Sequence, residues 1–199
     1  MTFAAASRPD EPAIDRLVRS ARECYRIKGV RGTRMSDVAA GAGLARQTAY
    51  DSVKGNAHIL ELAIEARIIE MGREIEQLNV DGRKPVLDRI VERIAAMVRM
   101  AGRDPEFTML AEALPRQEAA RFMSGPSPVT EVVVDLLRPL CAEALLAGQL
   151  RTDASLYEMA VWLQTMFSPL AAREQDLDDA ELDRFVRLFV LPGLVGVGG

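Results

Sequence analysis

Two short apolar-faced segments on either side of Gly43, within Gly29 to Leu60, constrain this 199-residue chain more than anything else in it. Met35, Val38, Ala39 and Ala42 recur at helical spacing and predict a short helix over 35–42. Gly43 supplies the turn, because glycine takes positive φ without strain, and Ala39 and Ala42 are small enough for the next helix to cross closely. That next helix is predicted over 46–53. Ala49 and Val53 face inward, while Arg46, Gln47, Thr48, Tyr50, Asp51 and Ser52 present donors and acceptors outward. A surface of this kind can hold phosphates and read base edges in the major groove. An ordinary helical hairpin with a polar face has the same spacing.

The rest of the pattern is helical, without a strand signal. Ile14, Leu17, Val18, Ala21, Cys24 and Tyr25 form a stripe over 12–28 that can clamp the two short helices. A long connector is predicted over 56–78, ended by Asp81-Gly82, and a further helix over 85–101, stopped by Gly102. A broken helical region over 104–123 is interrupted by Pro115, and Ser124 to Pro128 is the clearest loop. Helices over 129–146, 154–171 and 179–191 complete the chain. The terminal glycines after Gly193 have no helix behind them and read as a frayed tail.

Charge is distributed unevenly. The net charge is −4, which argues against indiscriminate nucleic-acid binding, yet residues 1–60 carry ten Lys/Arg against six Asp/Glu. The basic part therefore coincides with the candidate reader. Cys24 and Cys141 are the only thiols, and with no secretory h-region they fit a reducing, cytoplasmic setting. No apolar run approaches the ~20 residues that span a bilayer. Met1 to Pro12 reads as a short mobile arm. His58, the single histidine, reads as solvated in the connector's first turn. The absence of a His/Cys cluster, a nucleophile elbow or a phosphate loop leaves no catalytic, metal or cofactor expectation.

Tyr25, Gly29-Val30-Arg31-Gly32-Thr33, Asp37-Val38-Ala39, Ala42-Gly43-Leu44 and Tyr50 stand in the order of a known signature. Over these fifty or so amino-terminal residues the chain resembles the TetR family of transcriptional repressors. Three departures have physical consequences. Arg34 stands where the family places a capping Thr or Ser, so Thr33 is expected to cap the first short helix and leave Arg34 for a phosphate. Val53 replaces an aromatic, and Asn56, an expected N-cap, replaces a lysine, which shifts that phosphate contact to Lys54. Asp51 repels phosphate and accepts only from a base such as cytosine.

The expected fold is all-α: a helix-turn-helix domain over 1–55 joined by a long helix to a helical effector-binding and dimerisation domain over 56–199. The expected DNA-binding residues are Thr33, Arg34, Arg46, Gln47, Thr48, Tyr50, Asp51 and Lys54, with Arg46 and Gln47 for base edges. Leu156, Met159, Leu163, Met166, Phe167, Phe185 and Phe189 lie on broad terminal stripes that either complete one chain's core or bury a face against a second copy. The resemblance implies the second, a homodimer on double-stranded operator DNA. Met71, Met97, Met100, Phe107, Leu110, Phe122, Met123, Val133 and Leu137 suit an adaptable apolar cavity or a plain core. The resemblance implies a cavity for a small-molecule effector that releases the repressor. The alternative is a helical protein–protein adaptor whose hairpin binds a partner in place of DNA.

Overall fold

Pro12, Pro85 and Pro105 each stand at or just before a helix start, where a missing N–H removes no helical bond. The computed structural model describes residues 11–78, 81–115, 117–119, 127–173 and 177–196. In chain order the helices are α1 (Ala13–Lys28), α2 (Met35–Gly41), α3 (Arg46–Ser52), α4 (Asn56–Glu76), α5 (Val86–Arg103), α6 (Pro105–Glu112), α7 (Pro128–Leu146), α8 (Leu156–Arg173) and α9 (Asp179–Phe185). The fold is all-α; among the described residues the extended pairing is one isolated bridge, Leu150 with Val195.

Most helices start and end within two residues of expectation, and two of the differences have a local cause. Gly102 lies inside α5, and the helix ends at Arg103 because Asp104, the residue before Pro105, is driven out of the helical region. Asn56 begins α4 instead of capping it; the Gly55 carbonyl accepts from the Ile59 N–H, which gives Gly55 the cap position.

The chain divides into two compact units, Met1–Arg67 with Pro105–Arg116, and Ile68–Asp104 with Gln117–Gly199. In the first, α1 packs on both α2 and α3. Its core holds Leu17, Ala21, Val38, Ala39, Ala49, Ile59 and Ala63. The helix α6 belongs to this unit, and Glu106 accepts two bonds from Arg22 of α1, at 2.6 and 2.9 Å. Bidentate geometry of this kind fixes orientation as well as contributing energy.

In the second unit α5 packs against α7, α8 and α9. Ile90, Ile94 and Val98 have no or almost no exposed surface and meet a core supplied by Val133, Leu137 and Leu163. Two polar side chains are buried with them: the Thr130 hydroxyl donates to Gln164 Oε1, and Gln164 Nε2 donates to Ser127 Oγ at 3.0 Å. Pairing removes the penalty that burial would otherwise impose on these groups. Asp178 caps α9 by accepting from the Glu181 N–H at 2.8 Å, while Glu181 accepts in return from the Asp178 N–H at 2.9 Å.

The chain end corrects the expectation of a frayed tail over its described part. A π turn over Val186–Val190 and a 3-10 turn over Leu191–Gly193 continue from α9. Val186, Val190, Leu191 and Leu194 are buried, and the Arg151 N–H donates to the Leu194 carbonyl at 3.0 Å. Val197 to Gly199 lie outside the described residues, as does the expected arm up to Asp10.

Candidate nucleic-acid interface

The two short helices are held by polar stitches from α1 as well as by apolar packing. Met35, Val38, Ala39 and Ala42 are buried as predicted. The Ser20 hydroxyl donates to the Val38 carbonyl at 2.8 Å, and a Cβ on Gly41 would lie 2.4 Å from that hydroxyl oxygen. Arg16 Nη2 donates to the Ala42 carbonyl at 2.6 Å and to the Gly43 carbonyl at 3.2 Å. The Ala42 carbonyl belongs to the C-cap of α2 and the Gly43 carbonyl to the turn just beyond it, and a cation is favoured at this helix end by the helix dipole. Gly43 makes the turn with φ +64°, and its missing Cβ leaves the space that Arg16 Nη2 occupies, 3.2 Å from where that atom would stand. The sequence reading missed Arg16 and Ser20. Their signal was faint: polar residues on the margin of an otherwise apolar stripe.

The entry to α2 differs from expectation. Thr33 is 7% exposed and its hydroxyl donates to the Gly29 carbonyl at 2.9 Å, so it neither caps α2 nor faces outward toward a phosphate. The N-cap position belongs to Arg34, whose N–H donates to Asp37 Oδ2 at 3.0 Å. Asp37 also accepts from Lys28 Nζ at 2.9 Å; this bond first, and the Arg34 N–H second, hold its carboxyl below the usual carboxylate range. The Arg34 side chain is exposed, as predicted.

Along α3 and the two residues after it, Ala49 and Val53 are buried, while Arg46, Gln47, Thr48, Tyr50, Asp51 and Lys54 are exposed. The Arg46 guanidinium carbon lies 5.5 Å from the centre of the Tyr50 ring, a cation–π distance. Gln47 Nε2 donates to Asp51 Oδ1 at 2.9 Å. His58 is not simply solvated: its Nδ1 accepts the Lys54 N–H at 3.1 Å and so ties the start of α4 to the end of the reader.

At the level of sequence, no family model matches the chain and no curated protein matches it. Solved structures do match. A TetR-family regulator from Pectobacterium atrosepticum is 21% identical, with a TM-score of 0.62 over 92% of this chain and 93% of the other. The TetR-family repressor QsdR of R. erythropolis is 18% identical, with a TM-score of 0.65 over 96% of this chain and all of the other. The chain has the TetR-regulator fold. RolR, solved in complex with resorcinol, is 17% identical, with a TM-score of 0.66 over 92% of this chain and 87% of its own.

Within this TetR fold the expected dimer-face residues separate into three groups. Leu163 has no exposed surface, and Met159 and Phe167 almost none, so these three belong to the core of the second unit and not to an open face. Leu156, Met166 and Phe185 are half-buried. Phe189 is 65% exposed beside Leu188 at 50%, with its ring centre 4.9 Å from that of Phe185. The expected cavity residues also separate. Met71, Met97, Val133 and Leu137 are buried in the second unit and Met100 is half-buried there, whereas Phe107 and Leu110 belong to the first. Phe122 and Met123 lie outside the described residues. A surface groove between α4 and α7, lined by Ile69, Gly72, Arg73, Val132, Asp135 and Leu136, contains none of the expected cavity residues. Among the described residues no helix is long and apolar enough to cross a membrane.

Proposed function

We propose that the chain is a DNA-binding transcriptional regulator that acts as a homodimer on a pseudo-palindromic operator and represses transcription until a small, largely apolar effector binds. The observation that carries this reading is α3 and the residues just after it: six exposed polar, charged and aromatic side chains in the second arm of a glycine-turn hairpin whose Ala49 and Val53 are buried. Thr48, Tyr50, Lys54 and Arg34 position the helix on phosphates, and Arg46 and Gln47 meet base edges. The reader is proposed to occupy 1–55 and the effector and dimerisation part 56–199. RolR, of the same fold and solved with resorcinol, supports a small effector.

Release is a population shift. Effector binding favours a conformer in which α4 changes the separation of two readers across the dimer, so that both no longer fit successive major grooves. A typical coupling of about 1–3 kcal/mol corresponds to a roughly 5–150-fold loss of operator affinity.

The test is selection from randomised DNA duplexes at two salt concentrations with nonspecific competitor, followed by titration of the enriched site. A symmetric, salt-sensitive site is expected. Lys54→Ala weakens every duplex alike and lowers the salt slope by about one unit, while Arg46→Ala relaxes preference at one base position. No enrichment from a protein that still dimerises turns the hairpin into a protein-docking adaptor.

A further inference from the structure

Both candidate base readers on α3 are engaged before any nucleic acid arrives. Arg46 lies over Tyr50, and Gln47 reaches one helical turn forward to Asp51. The second contact settles an ambiguity that a glutamine usually keeps. Its amide can turn over and offer either its oxygen or its nitrogen to a given neighbour, but a carboxylate only accepts. With Nε2 donating to Asp51 Oδ1 at 2.9 Å, Oε1 and one remaining N–H are left to face a ligand.

We infer that Asp51 is a specificity-determining positioning residue, and that by fixing the Gln47 amide it commits α3 to adenine at one base of each half-site. The inference rests on the DNA-binding reading of α3. In the major groove adenine offers an N7 acceptor and an N6 amino donor, which Oε1 and the remaining N–H match as a bidentate pair. Guanine presents two acceptors, so an anchored amide satisfies one and turns Oε1 against the other. Thymine presents an acceptor and a methyl group, and cytosine a single donor. An unanchored glutamine could turn over to meet an acceptor-rich edge; the Asp51 carboxylate opposes that turn.

This role also accounts for an acid on a helix that faces a polyanion. Asp51 is exposed, and its charge repels phosphate whatever the sequence. It lowers affinity for every duplex and narrows the choice among them, which is discrimination by an added penalty against the wrong partner.

The test uses the full-length protein, the enriched operator and its single-base variants, with binding followed by fluorescence anisotropy for wild type, Gln47→Ala, Asp51→Ala and the double variant. Wild type is expected to prefer adenine at one position by roughly 5–150-fold. Gln47→Ala abolishes that preference. Asp51→Ala tightens binding to all duplexes yet reduces the preference by about fivefold or more, and the double variant discriminates no worse than Gln47→Ala alone. A merely structural Asp51 would weaken all duplexes and leave the preference intact. The inference is overturned if Asp51→Ala retains the adenine preference. It is equally overturned if a cytosine preference disappears in Asp51→Ala and survives in Gln47→Ala, which would make Asp51 itself the base contact. If wild type enriches no duplex, the DNA-binding reading fails and takes this inference with it.

Discussion

Replacing Arg16 with methionine keeps the aliphatic stem and removes the guanidinium that holds the turn between α2 and α3. Two bonds disappear, one of 2.6 Å to the partly buried Ala42 carbonyl and one of 3.2 Å to the exposed Gly43 carbonyl. A hydrogen bond to a charged group contributes about 1.5–3 kcal/mol net. The longer bond lies in water that can replace it, and methionine loses rotamer freedom similar to that of arginine, so the shorter bond dominates. The expected loss is about 2 kcal/mol. For a chain of this size each kcal/mol lowers Tm by about 2–4 °C, which predicts a drop of about 4–8 °C by circular dichroism. Operator affinity should fall about tenfold as the turn that sets the angle of α3 loosens. Arg19→Met is the control: Arg19 pairs with Glu11 on the surface, where such a pair contributes about 0–1 kcal/mol. Gly43→Ala supplies a second arm, because positive φ costs a non-glycine residue about 1–2 kcal/mol and the new methyl presses on Arg16. That second component should vanish in the Arg16→Met background. An Arg16→Met protein that melts within about 1 °C of wild type and binds the operator equally well would refute the stitch.

Leu163→Ala should cost about 3–5 kcal/mol in urea unfolding, since the side chain is wholly buried and its removal leaves a cavity; a cost below about 1 kcal/mol would place it on an open face after all. Burial pushes the Cys141 thiol up to about 11, so at pH 8 Cys24, the less buried thiol, should react first with a disulfide reagent and Cys141 only after unfolding. The same shift has a sign: the unfolded thiol ionises near its ordinary ~8.5 and the folded one later, so stability falls as pH rises from about 9 toward 11, and Cys141→Ala should flatten that fall. Phe189→Asp should weaken self-association by about thirtyfold in sedimentation while leaving the melting of the monomer nearly unchanged; an unaltered dissociation constant would remove Phe189 from the proposed dimer face.

What the sequence made legible was whatever repeats at a local period. Spacing alone places Met35, Val38, Ala39, Ala42, Ala49 and Val53 inward, and each is buried. Arg16 was opaque because its partners lie 26 and 27 residues away, and no period connects a basic residue in α1 to two carbonyls beyond α2. Thr33 was misassigned because a threonine before a helix suits both a cap and a loop bond, and the Gly29 carbonyl four residues back took its hydroxyl. Met159, Leu163 and Phe167 show another limit: an apolar stripe records that a face is covered, not whether its own chain or a second copy covers it. At the chain end, the π turn shifts the helical register, leaving Phe189 exposed and Val190 buried.

The first compact unit is discontinuous along the chain, and this bears on how such a reader could be transplanted. Its closing helix, α6, arrives about forty residues after Arg67, so on the ribosome α1 is made long before Glu106, its bidentate partner, exists. A chimera cut after α4 would carry every side chain proposed to meet DNA and still lack part of the shelf on which α1 rests. Swaps of regulatory specificity between chains of this fold should therefore take residues 105–115 along with the amino-terminal segment, or redesign the Arg22 site to stand without its acid.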